Sequence, residues 1–554
     1  MRRVVRARFG CLLAAVTLAG SIAGAGGNGD GGGERPGPSS YTTYTLSGRV
    51  AAGAPSFDPI AGAMVTIGDG PNAGRSAVTD STGSYTLSGL EPSGFTVTAS
   101  ATGFASDSRG VTLVRDLTLD FELTELPLTV TERASRHRFP RLANQIQGYV
   151  PEDALLLAMS DWDLLIVDAE LTANDRARAL GSRGTLRRTN PDLVILAYFS
   201  AADVIPRNTA PVNARFIEGL QDGWFMKDAA GRRVRLFDLG DGNWTEMLNL
   251  TTGVNDYLPG YLNEKVLSTR LVDGIFYDWI NDNIAWLNHR EPSPSGLLDI
   301  DNDAQADGDT RLNELWIAGT RAMLDHSRRV FPEGSVIVGN GGWVTGDVYD
   351  TRLNGMMVEQ FLEGEAAGGE PFAWSAVMRS HYWHSANAQP PQFAFIMANR
   401  DGPGDFAFVR FALASALLTD GYFCFTNRSG AYGSDWWYDE YAVDLETGRA
   451  ERRAEYKGYL GTPSGVAYNA ADPRERLPDW LGTGGTGAEQ RVWRRDFTNG
   501  IVLVNPTARA VSLRFETAYR KIRGTIDPGF NDGQTLTGIM LPARGGAILL
   551  NLAP

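Results

Sequence analysis

The sequence predicts a multidomain protein: a small β-sandwich, then a (β/α)8 barrel, then a C-terminal β-sandwich. Three observations carry this prediction. Residues 43–126 hold short alternating apolar runs cut by Gly, Pro and Asp turns, residues 135–482 alternate apolar strand-like runs with longer helix-like stretches, and residues 488–554 return to short strands. A length of 554 residues also suits several domains at about 150 residues each. With 43% hydrophobic and 21% charged residues the composition is globular, which excludes disorder over most of the chain. The 65 acidic residues outnumber the 51 Lys and Arg, and a net charge of -14 opposes the counterion-release attraction that drives proteins onto nucleic acid. Five histidines and two cysteines, Cys11 and Cys424, are too few for a Cys-rich zinc, iron–sulfur or disulfide scaffold.

The first residues read as an export signal. Arg2, Arg3, Arg6 and Arg8 precede the apolar stretch from Cys11 to Ala25, which is too short to remain as a membrane span. Ala23-Gly24-Ala25 fits small-x-small cleavage, so residues 1–25 are a predicted signal peptide. The predicted location is secreted, or periplasmic or at the cell surface of a bacterium. Ala25 stands where a lipoprotein would carry its cysteine, which favours secretion over a lipid anchor. Cys424 would then be the sole mature cysteine, a small apolar residue in the run Gly421 to Phe425. Residues 26–42 are Gly, Ser, Pro and polar residues without apolar periodicity, a flexible linker.

In the first folded segment, Asp80 and Gly83 make a hairpin turn, and the alternation of a strand puts Tyr85 and Leu87 on one face. The run Thr79 to Leu87, with Gly89-Leu90, Gly94-Phe95 and Ala101-Thr102-Gly103-Phe104, resembles the carboxypeptidase regulatory-like domain, a transthyretin-like sandwich. The domain is read as a spacer or stability module, with accessory glycan or surface binding as the alternative.

Eight strands are expected in the large segment: 164–168, 193–198, 246–249, 272–278, 336–340, 355–359, 393–399 and 417–425. Seven of these runs are apolar until a polar final residue, and the C-terminal strand ends are where TIM barrels keep their chemistry. An open doubly wound sheet would alternate in the same way. No glycine-rich phosphate loop follows the first run, so the barrel is preferred.

Two strand-end carboxylates, Asp278 and Glu359, are the predicted catalytic pair. Cleaving a glycosidic bond needs one acid to protonate the leaving oxygen and one carboxylate to attack or to activate water. Asp273 begins its strand and is read as structural. Asp168, Tyr198, Asn249, Asn340, Trp343 and Asn399 stand at or just past strand ends as candidate substrate-binding residues. His381 and Trp436 join them from the following loops, where Trp374, Tyr382, Trp383, Trp437 and Tyr438 also lie and where aromatic faces stack on sugars. His381 and His384 lack a third partner at zinc-ligand spacing, so no catalytic zinc is expected, nor any organic cofactor. Asp299, Asp301, Asp303 and Asp307 form an oxygen-rich run suited to a structural Ca2+, although Ala304 replaces the usual turn glycine.

The segments Val272 to Asp278, Val338-Gly339-Asn340-Gly341-Gly342 and Met357-Val358-Glu359-Gln360-Phe361 resemble the glycosyl-hydrolase-like barrels of bacteria, in particular hypothetical family fifteen of that series. The resemblance extends over residues 140 to 550. The chain is also similar, more distantly, to barrels that cut α-linked galactosamine polymers and to retaining α-galactosidase-type barrels. Together these imply a secreted hydrolase acting on a polysaccharide or oligosaccharide, with Asp278 as nucleophile and Glu359 as acid/base. A catalytically inactive barrel that binds glycan at the cell surface is the alternative. Sugar, linkage, and endo or exo action stay open.

Overall fold

The computed structural model describes residues 42–53, 57–101, 103–124, 128–147, 152–172, 186, 189–240, 242–290, 295–341, 346–359, 361–362, 373–427, 433–482 and 487–552. The expected signal peptide (1–25), and the linker (26–42) except Thr42, lie outside the described residues. Two compact units result, 1–127 and 128–554. Among the described residues no helix is long and apolar enough to cross a membrane.

In the first unit, strand Tyr44–Ala52 pairs antiparallel with Ser84–Leu90 and parallel with Leu117–Thr118 and Phe121–Leu123. A second sheet orders Ser76–Val78, Met64–Ile67, Ser93–Ser100 and Asp107–Leu113. Leu46, Val50, Tyr85 and Leu87 of one sheet share a core with Val65, Ile67, Phe95 and Val97 of the other. The expected turn is present: the Asp80 carboxylate accepts from the backbone N–H groups of Thr82 and Ser84, and Gly83 takes φ +76°, which only glycine adopts without strain.

The second unit is built on eight parallel strands, numbered here β1 (Ala143–Gln145), β2 (Leu164–Asp168), β3 (Val194–Ser200), β4 (Gly274–Asp278), β5 (Val336–Asn340), β6 (Gly355–Val358), β7 (Phe395–Arg400) and β8 (Tyr422–Asn427). They pair in sequence order. The ring is nearly closed, for β8 meets β1 through a parallel bridge between Phe423 and Leu142, and the Phe423 N–H donates to the Arg141 carbonyl at 3.0 Å.

Two expectations about these strands are corrected. Residues 246–249 contribute no barrel strand: Asn243–Met247 is the middle strand of a three-stranded antiparallel excursion with Asp203–Val204 and Arg235–Gly240. The unforeseen β1 restores the count of eight. It has only three residues and two of them are polar, so no apolar run announces it. Leu417 likewise ends a helix, Phe406–Leu417, and β8 begins only at Tyr422.

Alternation sends Leu164, Ile166, Val194, Leu196, Phe276 and Met357 inward, with Met397 and Cys424, into one buried interior cluster. Cys424 is thus the buried apolar residue expected. Helix Val130–Arg136 closes the N-terminal end, with Val130 and Ala134 against that cluster. There Arg133 pairs with Asp273 at 2.8 Å, both side chains under 10% exposed (5% and 7%), and Asp273 also accepts from the Ile195 N–H. Asp273 is structural, as expected.

At the C-terminal end of the chain, where a sandwich was expected, the described strands form one seven-stranded sheet from Tyr468–Asn469 to Gly545–Asn551. One of its faces packs on a helix, and the other carries an apolar cluster of the sheet's own residues, with Ile501, Leu503, Leu541 and Leu549. A Cβ on Gly546 would come within 2.6 Å of the Arg410 carbonyl oxygen, so glycine lets the sheet sit directly on helix Phe406–Leu417. The sheet starts some way before the expected boundary at 488.

Removing one partner of a buried ion pair leaves the other charge desolvated, at a cost of about 3–5 kcal/mol. Arg133→Ala should lower the unfolding free energy by that amount in urea titration followed by circular dichroism. A loss below about 1 kcal/mol, the range of a solvent-exposed pair, would show that the pair does not hold the base of the barrel.

Candidate active site

Period-two alternation carries the inward face of each strand past the apolar interior to a polar end. On the odd strands that face reaches Gln145, Tyr198 and Asn340, and on the even strands Asp168, Asp278 and Thr426, with Glu359 one residue beyond β6. Layers supplied by alternate strands are the packing rule of such barrels. One end of the ring is therefore polar and acidic, above an apolar plug.

Side chains of the odd strands hold the acids of the even ones. The Asn340 Nδ2 donates to Asp278 Oδ1 and to Glu359 Oε2, each at 2.9 Å. Those two oxygens can be no farther apart than twice 2.9 Å. The Tyr198 hydroxyl donates to Asp278 Oδ2 at 2.6 Å, and the Trp279 backbone N–H to Asp278 Oδ1 at 2.8 Å. Burial pushes the Asp278 carboxyl above the usual carboxylate range, and these three donors partly offset the shift. The Tyr198 hydroxyl is pushed well above its ordinary value, first by burial and then by the adjacent Asp278 charge, so it stays protonated and donates.

Sequence reasoning missed three residues here. Asp203, just past β3, accepts from the Ser200 hydroxyl; burial raises its carboxyl, with the Asp278 charge adding to the rise. Nothing in a lone Asp after Ser-Ala-Ala distinguishes it. Gln145 is 1% exposed with Oε1 unpartnered, and Thr426 ends the inward face of β8. The strand-end rule that found Asp278 would have found Gln145 had β1 been visible.

The other expected residues divide. Asp168 and Asn399 lie at the polar ends of β2 and β7; Asp168 accepts from the Glu170 N–H, and the buried Asn399 has its Oδ1 unpartnered. Trp436 is half-buried against Phe425 of β8. Trp343 lies outside the described residues. Asn249 does not end a barrel strand: fully buried, it donates to the Ile300 carbonyl and accepts from Thr251. His381 is not on a loop but inside helix Trp374–Asn387, wholly buried, where a Cβ on Gly421 would strike its ring at 2.1 Å. Gly421 precedes β8, so His381 belongs to the opposite end of the barrel, and burial holds its ring nitrogens neutral, with a pKa of about 3. The same helix carries Tyr382 as well as Trp374 and Trp383, whose indole N–H groups are given to Ser415 and Asp350. Trp437 packs on Trp162 and Tyr441, and the Tyr438 hydroxyl donates to the Pro403 carbonyl.

Of the acidic run, Asp299, Asp301 and Asp307 offer oxygens within 4.8 Å of one another, while Asp303 is not in that group. Arg311 bridges two of the three, at 2.5 Å from Asp301 and 3.1 Å from Asp307. Asp299 accepts from the N–H groups of Asp303 and Ala304.

Comparison with known proteins follows the same division of the chain. The carboxypeptidase regulatory-like domain matches residues 45–124. Among solved structures, the chain is similar to a family 39 glycoside hydrolase from Bacteroides cellulosilyticus WH2, at 10% identity over 88% of this chain and 94% of that one, with a TM-score of 0.37. It is similar to a noncanonic maltogenic α-amylase from Thermotoga neapolitana, at 10% identity over 74% and 98%, with a TM-score of 0.38. A type II cohesin–X–dockerin complex from Acetivibrio cellulolyticus matches at 21% identity and a TM-score of 0.13; the match spans 15% of this chain and 60% of that one, less than two thirds. No curated protein matches. Hypothetical glycosyl hydrolase family 15 matches residues 187–501, more than half of the chain and the whole stretch from Tyr198 to Glu359, and the chain belongs to that family.

Proposed function

We propose that the protein is an exported glycoside hydrolase that cleaves O-glycosidic bonds of a polysaccharide on a TIM-type barrel, with retention of anomeric configuration. The observation that carries the reading is the shared Asn340 amide, which keeps oxygens of Asp278 and Glu359 within twice 2.9 Å. Retaining enzymes place their carboxyl groups about 5–5.5 Å apart and inverting enzymes about 6.5–9.5 Å, so the short spacing favours retention.

In this reading Asp278 is the nucleophile. Its carboxylate forms a bond to the anomeric carbon as the glycosidic C–O bond breaks, and Glu359 gives its proton to the departing oxygen. The Glu359 carboxylate then takes a proton from water, whose oxygen attacks the anomeric carbon and releases Asp278. Tyr198 and Asn340 orient Asp278 and steady its charge. Asp168 and Asn399, with Trp436, are assigned to substrate contact from strands and loops around the pair. Signal-directed export, and the spacer role of the first unit, remain part of the proposal.

Asp278→Asn and Glu359→Gln should each lower turnover by at least about 10^2–10^4-fold, assayed on a polysaccharide panel. Wild-type turnover in either variant would refute the pair. NMR of the first-formed product should show the anomeric configuration of the substrate; the opposite configuration would overturn retention. A barrel that only binds glycan would instead show affinity without turnover in the wild type. Loss of the Tyr198 hydroxyl removes a donor that lowers the Asp278 pKa, so Tyr198→Phe should move the acid limb of the activity profile to higher pH. An unmoved limb would deny that Asp278 governs it.

Calcium at Asp299, Asp301 and Asp307, with Asp303 at the edge, is the further proposal for the acidic run. The ion would take over the neutralising role Arg311 has at Asp301 and Asp307. A ligand that binds only the folded state adds RT ln(1 + [L]/Kd), about 2.7 kcal/mol at a hundredfold excess over Kd. Calcium should raise the Tm of the wild type and leave the Asp301→Ala/Asp303→Ala double variant unmoved. Equal responses in both would assign the run to ion pairing with Arg311 alone.

A further inference from the structure

The turn after Asp278 is unusual for its sequence. Trp279 takes φ +66°, a left-handed conformation that strains a bulky residue and persists only where its surroundings enforce it. Here they do so from both sides. The Trp279 N–H is held by Asp278 Oδ1, and the next N–H, of Ile280, donates to the Asn340 carbonyl at 2.7 Å. The indole is thus aimed by the two residues that organise the catalytic carboxyls.

Two further rings meet it. Phe237, from the excursion strand Arg235–Gly240, lies 5.5 Å from Trp279 at 70°, and Trp286, from the turn Ala285–His289, lies 6.2 Å away at 31°. Phe237 is 41% exposed and Trp286 39%, so both present open ring surface. Arg290 ties the pieces together: its guanidinium donates to the Leu236 carbonyl and lies 6.0 Å from the Trp286 ring centre. The strained turn, the excursion and the Ala285–His289 turn therefore form one braced aromatic wall beginning at Asp278.

We propose that Phe237, Trp279 and Trp286 form a sugar subsite beside the catalytic pair, stacking on the C–H face of a second pyranose of a neutral polysaccharide chain. The occupant rests on the glycosidase reading. Three features argue for a sugar. A pyranose offers an apolar C–H face with hydroxyls around its rim, which matches open aromatic faces bordered by the guanidinium donors of Arg290. A patch of three rings falls far short of the roughly 1,000 Å2 that a stable protein partner needs. Finally, the wall is continuous with Asp278 through the Trp279 N–H, so a chain cut at Asp278 has this wall as its neighbour.

The test uses the full chain carrying Glu359→Gln, which removes the proton donor, and measures retardation in gels containing soluble β-glucan, galactomannan, xylan or glycogen. Adding Phe237→Ala and Trp286→Ala should weaken binding to the retained polysaccharide at least about tenfold, or about 1.4 kcal/mol. Trp286→Tyr, which keeps a ring, should restore most of it, and unchanged urea midpoints would separate lost contact from lost fold. Equal affinity of parent and double variant, or no binding of the parent to any of the four, would overturn the subsite. Hydrolysis by the wild type with undiminished binding in the double variant would remove the subsite and leave the glycosidase. Binding that depends on both rings in a wild type without turnover would do the reverse.

Discussion

One amide nitrogen organises the acidic end of the barrel. Two carboxyl groups brought close in a buried site repel when both are charged, and in an ordinary barrel rim nothing would hold them in register. The Asn340 Nδ2 has two hydrogens and gives one to each acid. It can do so because Asn340 ends β5, the strand between β4 and β6, which carry the acids on either side. The parallel order of strands fixes which side chains share this site, and the inward alternation fixes their height. Tyr198 on β3 serves Asp278 from the other flank by the same geometry. The barrel's regularity thus converts strand order into carboxyl spacing.

Most of that geometry was legible in the sequence, for a definable reason. A buried parallel strand reads as an apolar run, and a polar residue ending such a run marks the place where the strand leaves the core. Asp278, Asn340 and Glu359 were found this way. The same reasoning failed where the physical signal was absent or shared. Ala143-Asn144-Gln145 is too short and too polar to register as a strand, so Gln145 was overlooked. Glu246 to Asn249 looked like a buried strand because Met247 and Leu248 are indeed buried, but in an antiparallel excursion formed with the adjoining hairpin arm Arg235–Gly240 and with Asp203–Val204, not in the barrel. Periodicity reports burial and not the sheet that provides it. Asn249 was misassigned for that reason alone.

His381 and its helix illustrate the other limit. Trp374-Ser375-Ala376-Val377 through Asn387 has aromatic, histidine and apolar residues spread around the helix, and its hydrophobic side is not a clean stripe. Its aromatic content suggested a binding loop. In the fold Trp374 and His381 are buried while Trp383 stays exposed, and the absence of a side chain at Gly421 is what admits the imidazole. A glycine facing a histidine across the fold leaves no trace in local sequence.

The site also works against the stability of the fold that builds it. Asp278 has its pKa raised by burial, so the unfolded chain releases this proton at lower pH than the folded one. The linkage sign follows: whatever stability the protonated Asp278 contributes is present below its unfolded pKa and is lost as pH rises through the higher folded value. Asp203, raised in the same direction by its own burial, adds to that loss over the same side of the titration. Once ionised, these are desolvated carboxylates that Tyr198, Asn340 and Ser200 only partly compensate. The positive φ of Trp279 adds backbone strain at the same spot. The compensation comes from elsewhere in the unit: an apolar interior filled from all eight strands, a base sealed by Val130 and Ala134 and tied by Arg133 to Asp273, and a sheet seated on helix Phe406–Leu417. Strain and unfavourable charge gather at the C-terminal end of the strands because the opposite end and the outer layers hold the ring in place without them.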